Sequence, residues 1–284
     1  MPSPVMTEQV FQSGGTAPAL GGHPGAQTAP PPYPNSPAYP IGVDDGRVMT
    51  FGGTATAAGL MMLVLLIGSW FGWQQVTVTA TGQLNRAGDE IMSASMAHQA
   101  WLYIALFVGF GIAIVTTFKP LLARFTSLPY AIIEGFVLGA VSHLYDSQSK
   151  GIAIQAVLAT AGVFLAMLVL YGLRILRATP RFTKGVIAAT MGIMVMYAVG
   201  WIVSLFSDSS LSFFNSPSLL GIGFSLVVVV IASMNLILDF DMIEKGVNNR
   251  APAAMEWYGA FGLTVTIVWL YLEMLRLLSK LNQR

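Results

Sequence analysis

Seven long apolar stretches constrain the fold of this chain more than any other feature of its sequence. They lie at about 54–75, 99–118, 128–145, 151–174, 185–206, 217–240 and 259–279. We number them spans 1 to 7. A helix of about 17–25 residues crosses the hydrocarbon core of a bilayer, and the connections between the spans are short. The sequence therefore predicts an all-α integral membrane protein with a bundle of seven transmembrane helices.

Composition excludes several other classes of protein. Only 10% of the 284 residues are charged, whereas soluble domains carry about 25%. The net charge of +1 gives no basic surface for nucleic acid. The chain contains no cysteine, which excludes disulfides, thiol nucleophiles and cysteine-type zinc sites. We therefore expect the lipid bilayer as the surroundings of the chain and no nucleic-acid partner.

Residues 1–46 differ in composition from the rest of the chain. They hold 10 of the 15 prolines and no Lys or Arg. Such a segment buries too little apolar area to offset the entropy of ordering, so we predict a disordered Pro/Gly-rich cytoplasmic tail followed by a membrane domain at 47–284. Its proline-rich stretch either stays a flexible tail or docks in an aromatic groove as a polyproline helix.

Span 3 is the shortest of the seven. It carries Gly135 and Gly139 four residues apart. Small residues at this spacing let two transmembrane helices approach closely. We therefore expect span 3 to pack tightly against another helix.

The Lys and Arg residues indicate the orientation of the bundle. With the N-terminus inside, nine of them fall in inner segments and five in outer ones. This distribution favours a cytoplasmic N-terminus in the plasma membrane. Three of the five outer residues lie between residue 276 and the C-terminus, however, so span 7 either crosses the membrane fully or is re-entrant.

Four acidic residues interrupt or end the spans and are the candidate functional residues. They are Glu134 in span 3, Asp239 and Asp241 at the end of span 6, and Glu273 in span 7. A carboxylate at the bilayer centre costs about 2.5–3.5 kcal/mol on insertion scales, which makes a functional role the default hypothesis. With the N-terminus inside, three of these acids and the basic Arg124 fall toward the inner half of the membrane, and Glu273 does not.

The two aspartates of span 6 point in different directions. Residues two apart on a helix are turned by about 200°, and Asn235 shares the face of Asp239. We therefore expect Asp239 to face the bundle interior and Asp241 to lie nearer the headgroups. The alternative is that the helix ends there and that both acids are solvated.

The other two acids each have a structural alternative. Glu273 could form an ordinary ion pair with Arg276 three residues later, which is worth only tenths of a kcal/mol near an interface. Glu134 has no basic neighbour within a turn, so it is either functional or a carboxyl that is hydrogen-bonded to a neighbouring helix.

Several segments in combination resemble a known family. They are LPYAIIEGFVLGAVS (128–142), GIAIQAVLATAGVFLAMLVLY (151–171), TPRFTKGVIAATMGI (179–193), MNLILDFDMIEKGV (234–247) and MEWYGAFGLTVTIVWLYLEMLRLLSKL (255–281). The chain resembles the Bax inhibitor/YccA-like family, in its actinobacterial branch, over residues 47–280. This resemblance implies a fold in which two three-helix sets surround a central seventh helix.

The resemblance also implies a function. Members of the family resemble proton-sensitive calcium leak channels, in which acids of spans 6 and 7 form a pH-sensing pair and an arginine of span 2 acts as a latch. Asp239, followed by Asp241, matches the first acid, and Glu273 in LYLE matches the second. No arginine lies within span 2, and Arg124, just after it, is the candidate latch. Glu replaces the usual Asp in span 7, and Asp241 stands where an amide is usual.

We therefore predict a pH-sensitive calcium leak channel that is gated by an intramembrane carboxylate pair. Asp239 and Glu273 are the candidate calcium ligands, calcium is the permeant ion, and we expect no cofactor. The alternative is a membrane-embedded regulator of a protease or of a stress response, which acts by protein–protein contact. The sequence contains no HExxH, GxGD or CxxC motif, so we expect no enzymatic activity.

Overall fold

A computed structural model of the protein describes residues 46–84, 90–96, 99–206 and 217–283. The predicted tail at 1–46 lies, except for Gly46, outside these residues. The helices are α1 (Phe51–Gln74), α2 (Gln99–Phe118), α3 (Ala123–Gln148), α4 (Ile152–Gly172), α5 (Pro180–Phe206), α6 (Leu219–Asn248) and α7 (Met255–Asn282). Two strands, β1 (Val76–Leu84) and β2 (Glu90–Met96), lie between α1 and α2.

The seven predicted helices are confirmed in the described residues. All seven are long and apolar enough to cross a membrane. Helix α7 runs without a break from Met255 to Asn282, which gives a length of about 42 Å at 1.5 Å per residue. Since this exceeds the hydrocarbon core of about 30 Å, α7 can cross the membrane fully and contains no re-entrant turn.

Helices α1 and α3 meet through glycines, which confirms the close packing that we expected of span 3. A Cβ on Gly135 or Gly139 would overlap the backbone of α1, at the carbonyl oxygens of Leu65 and Ser69. A Cβ on Gly68 or Gly72 would in turn overlap backbone carbonyl oxygens of α3. Two pairs of glycines, each four residues apart, thus let the two backbones touch.

Helix α7 is the most buried of the seven. It contacts α1, α3, α4 and α6. One apolar cluster joins α7 to α4 and α6 around Leu236 and Leu270, and a second joins it to α1 and α3 around Met61 and Ala260. The side chains of α7 therefore lie in protein rather than in lipid.

A β-hairpin joins α1 to α2, which corrects our expectation of short connections at this point. Strands β1 and β2 are antiparallel, with Val76 opposite Met96 and Thr79 opposite Ser93. The hairpin contacts α3. The alternating VTVT at 76–79 is the pattern of a strand with one covered face.

The two ends of the bundle are held by different contacts. At the end that we call the N-terminal end, the Met49 amide donates to the Ala251 carbonyl oxygen at 2.7 Å, so that the chain before α1 pairs with the α6–α7 connection. At the opposite end, which we call the hairpin end, the rings of Trp73 and His143 stack with centroids 4.4 Å apart. These two ends define the direction in which the site is described below.

Candidate functional site

Glu273 forms a buried triad with Arg276 and Tyr197. The side chain of Glu273 lies in α7 and the residue is 1% exposed. Its Oε1 accepts from Arg276 Nη1 at 2.8 Å and from the Tyr197 hydroxyl at 2.9 Å. Arg276 Nη1 also donates to the Tyr197 oxygen at 2.6 Å, and the guanidinium carbon lies 4.9 Å from the centre of the Tyr197 ring. The triad thus links α7 to α5.

The spacing of residues on α7 explains why the triad forms. Residues that alternate four and three apart share one helix face. On α7 they form what we call the polar stripe, which consists of Gly262, Thr266, Trp269, Glu273, Arg276 and Lys280. This places the Glu273 carboxylate and the Arg276 guanidinium side by side on a buried face. The ion pair considered from the sequence is therefore present, but inside the bundle.

Lys280 ends the polar stripe at the hairpin end. Its ammonium donates to the Ser225 hydroxyl at 2.8 Å and to the Gly221 carbonyl oxygen at 3.0 Å. Lys280 is 2% exposed and Ser225 is fully buried. These bonds fix the position of the first turns of α6 against the last turns of α7.

Asp239 lies further along α6, opposite the other half of the polar stripe. Its Oδ1 is 3.5 Å from the position that a Cβ on Gly262 would occupy, and the Thr266 hydroxyl interacts with its carboxylate. Because α6 continues to Asn248, Asp239 lies more than two turns before the helix end. Asp239 therefore faces α7 and is not at a solvated helix terminus.

The structure does not bring Asp239 and Glu273 into contact. The two helices are antiparallel, and Ser225 meets Lys280. Fourteen residues further on α6, Asp239 meets Thr266, which lies fourteen residues before Lys280 on α7. Glu273 is seven residues beyond Thr266, a rise of about 10 Å. The two acids thus lie at different depths, on either side of the middle of α7.

The remaining predicted site residues lie elsewhere. Asp241 faces away from Asp239 and forms an ion pair with Lys245. Glu134 of α3 lies against α2, with its Oε2 3.4 Å from the position of a Cβ on Gly109. Arg124 is exposed in the first turn of α3. The structure thus brings none of these three to the face of α7 that carries Glu273.

Three buried side-chain oxygens have no hydrogen-bond partner in the described part of the chain. They are Asp239 Oδ2, Glu273 Oε2 and Thr160 Oγ1. Thr160 lies in α4 one turn before Phe164, and the Phe164 ring packs on Phe240, next to Asp239. One turn back along α4 leads toward the hairpin end, so the depth of Thr160 is between those of Asp239 and Glu273. A buried polar group without a partner costs about 1–3 kcal/mol. Such atoms are usually met by water or by an ion.

The candidate calcium ligands Asp239 and Glu273 do not belong to a larger cluster of such side chains in the described residues. Among residues 46–84, 90–96, 99–206 and 217–283, no group of three His, Cys, Asp or Glu side chains converges on one point. Calcium takes 6–8 oxygen ligands in protein sites. Oxygens at different depths could therefore contact a hydrated cation one after another.

Sequence reasoning missed Tyr197, Thr160 and the role of Lys280. Lys280 shares the helix face of Glu273 and Arg276, and this spacing could have identified it. Tyr197 and Thr160 each stand among apolar neighbours in their helices, and their importance depends on which neighbouring helix they face.

The comparisons with known proteins agree with the helical architecture. The family model described as Bax inhibitor 1 like matches residues 3–283, nearly the whole chain. Neither the curated proteins nor the solved structures contain a match to the chain. Seven apolar helices together with the family match make the protein a multi-pass membrane protein. The chain belongs to the Bax inhibitor 1-like family.

Proposed function

We propose that the protein is a cation leak channel, that calcium is its permeant ion and that the ion passes along the polar stripe of α7. The observation that carries the proposal is the set of three buried oxygens without partners, on Asp239, Thr160 and Glu273. They occur at successive depths on the inner surfaces of α4, α6 and α7. A hydrated cation that moves past them would satisfy each oxygen in turn.

The chemistry of these oxygens favours a hard cation. Carboxylate and hydroxyl oxygens are the ligands that calcium prefers, with water completing its shell. Conduction also requires sites that bind the ion weakly enough to release it. Single carboxylates about 10 Å apart in depth meet that requirement better than one enclosed site would.

We assign the gate to the Glu273–Arg276–Tyr197 triad. When Glu273 is ionised, it holds Arg276 at 2.8 Å and Tyr197 at 2.9 Å, so that α7 is tied to α5. A proton on Glu273 removes the charge that attracts the guanidinium, and the contact between the two helices weakens. We therefore expect acidification to increase flux. In this account Arg276 is the latch, and Arg124 is not, because Arg124 is exposed in the first turn of α3.

The orientation that we propose places the N-terminal end in the cytoplasm and the bundle in the plasma membrane. Arg276 and Lys280 bond to buried partners within α7 and α6, so they do not count as loop charges. The outer segments then retain Arg86, Lys150 and Arg284, against nine Lys and Arg residues in the inner segments. This distribution supports a cytoplasmic N-terminus.

The test is calcium flux into liposomes that contain the purified protein. Asp239→Asn and Glu273→Gln each keep the side-chain size and remove the charge. We expect Asp239→Asn to lower the flux and Glu273→Gln to abolish its response to pH. Asp146→Asn is the matched control, because Asp146 accepts from the Gly151 amide at the hairpin end and is not part of the polar stripe. Unchanged, pH-dependent flux in both variants would refute the proposal.

A further inference from the structure

We propose that a cavity at the N-terminal end of the bundle binds the headgroup of an aminophospholipid, that is, a lipid phosphate linked to a primary ammonium group. The cavity lies where α4 ends, α5 begins and α6 ends, and its volume is about 420 Å³. The charged residues that line it are Arg174, Arg177, Asp241, Glu244 and Lys245. We call it the headgroup cavity. It is separate from the polar stripe, and the proposal does not depend on the channel function.

The cavity contains charges of both signs. Asp241 pairs with Lys245, and Glu244 accepts from the Tyr171 hydroxyl and lies 3.8 Å from Arg174. Within the described residues, the Arg177 guanidinium makes no hydrogen bond or ion pair. Guanidinium groups bind phosphate oxygens through paired, charge-assisted hydrogen bonds. Arg177, supported by Arg174, is therefore the phosphate-binding group that we assign.

The helix ends around the cavity suit a ligand with both charges, since the N-terminus of α5 favours an anion and the C-termini of α4 and α6 favour a cation. Helix α4 ends with two bonds, from the Arg174 amide to the Tyr171 oxygen at 2.9 Å and from the Ile175 amide to the Leu170 oxygen at 3.0 Å. This termination usually requires glycine at the left-handed position, but here Arg174 adopts φ 59. The strained turn places a guanidinium at the cavity. The Thr179 hydroxyl oxygen accepts from the Phe182 amide at 3.3 Å and so caps the first turn of α5. The positive end of the α5 dipole therefore lies at the cavity.

The position of the cavity indicates a lipid rather than a soluble ligand. It lies at the ends of three membrane-spanning helices, where headgroups are found. Leu173 and Ile175 flank Arg174 in the chain and are 67% and 64% exposed. Exposed apolar side chains next to arginines suit the boundary between acyl chains and headgroups. A lipid phosphate at Arg177 would leave its acyl chains beside Leu173 and Ile175.

The two carboxylates select the second group of the ligand. A phosphate without a cation would offer no hydrogen-bond donor to Asp241 and Glu244, whose charges Lys245 and Arg174 already balance. A primary ammonium linked to the phosphate would instead donate hydrogen bonds to these carboxylates. The quaternary ammonium of phosphatidylcholine has no hydrogen to donate. The cavity should therefore prefer phosphatidylethanolamine to phosphatidylcholine and to phosphatidylglycerol.

The test is native mass spectrometry of the full-length protein in detergent, titrated with each of these three lipids. We expect phosphatidylethanolamine to bind the wild type most tightly. Arg177→Gln should weaken that binding about tenfold, since it removes a charge-assisted hydrogen bond. Glu244→Gln should reduce the preference for phosphatidylethanolamine over phosphatidylglycerol. Arg177 is exposed, so its replacement should leave the fold intact.

The control is Arg181→Gln, which removes an exposed arginine of α5 that does not line the cavity. Equal binding of the three lipids, or an equal loss in Arg177→Gln and Arg181→Gln, would overturn the proposal. A competition arm adds soluble phosphoethanolamine. Its failure to displace the lipid supports a lipid site, whereas displacement at comparable concentrations would assign the cavity to a soluble phosphate ester and overturn the assignment to a lipid.

Discussion

The Glu273–Arg276 pair should contribute strongly to the stability of the bundle, and a double-mutant cycle measures how much. The perturbations are Glu273→Gln, Arg276→Gln and the combination of both. Breaking a fully buried ion pair by removing one partner costs about 3–5 kcal/mol. Here Glu273 is buried, but the Arg276 side chain is 30% exposed, and the Tyr197 oxygen remains as an acceptor. Because solvent partly screens the charge that is left without a partner, we expect either single variant to lose about 2–3 kcal/mol of unfolding free energy.

The double variant should recover much of that loss. With both charges removed, no uncompensated charge remains in the bundle, and two amides can bond to each other and to Tyr197. We expect a coupling energy of about 1–3 kcal/mol between the two positions. The assay is equilibrium unfolding in mixed micelles with increasing sodium dodecyl sulfate, followed by circular dichroism. Single-variant losses that add in the double variant would show that the two groups do not interact, and the assigned gate would be wrong.

Three further predictions follow from the packing and from the tail. Gly139→Leu should lower the free energy of unfolding by about 1–3 kcal/mol in the same assay, because its side chain would overlap the Ser69 carbonyl. The control Gly59→Leu faces open space and should lower it little. Equal losses in the two variants would contradict the glycine contact. Ser225→Ala should lower the free energy of unfolding by about 1.5–3 kcal/mol, because it removes a partner of the buried Lys280 ammonium. Adding Lys280→Met should reverse this loss. A further loss in the double variant would contradict the prediction. Deletion of residues 1–45 should leave liposome flux unchanged and abolish binding of any protein partner in a pull-down, whereas loss of flux would place the tail in the channel.

The helices could be predicted because each one is a long apolar segment, and crossing a bilayer requires little more than length and hydropathy. Their ends were less predictable. Span 6 was expected to end near Asp239, but α6 continues through Lys245 to Asn248, since polar residues can extend a helix beyond the hydrocarbon core. The hairpin was missed for a related reason. Its VTVT alternation is short beside the apolar spans that flank it.

The candidate site was predictable in its residues but not in its geometry. The spacing of Glu273 and Arg276 on one helix indicated an ion pair, because residues three apart share a helix face. Whether that face is buried depends on where α5 and α6 pack. The depth of Asp239 relative to Glu273 depends on the register of α6 against α7, which the Lys280–Ser225 bond reports. A single sequence does not specify which residues meet across two antiparallel helices.

The most direct test of the account is calcium flux in proteoliposomes at neutral and at mildly acidic pH, with the wild type, Asp239→Asn and Glu273→Gln compared at equal protein content. The account predicts that acidification increases wild-type flux, that Asp239→Asn lowers flux at both pH values and that Glu273→Gln gives flux that no longer depends on pH. Calcium entry no faster than in empty liposomes for the wild type at both pH values would contradict it.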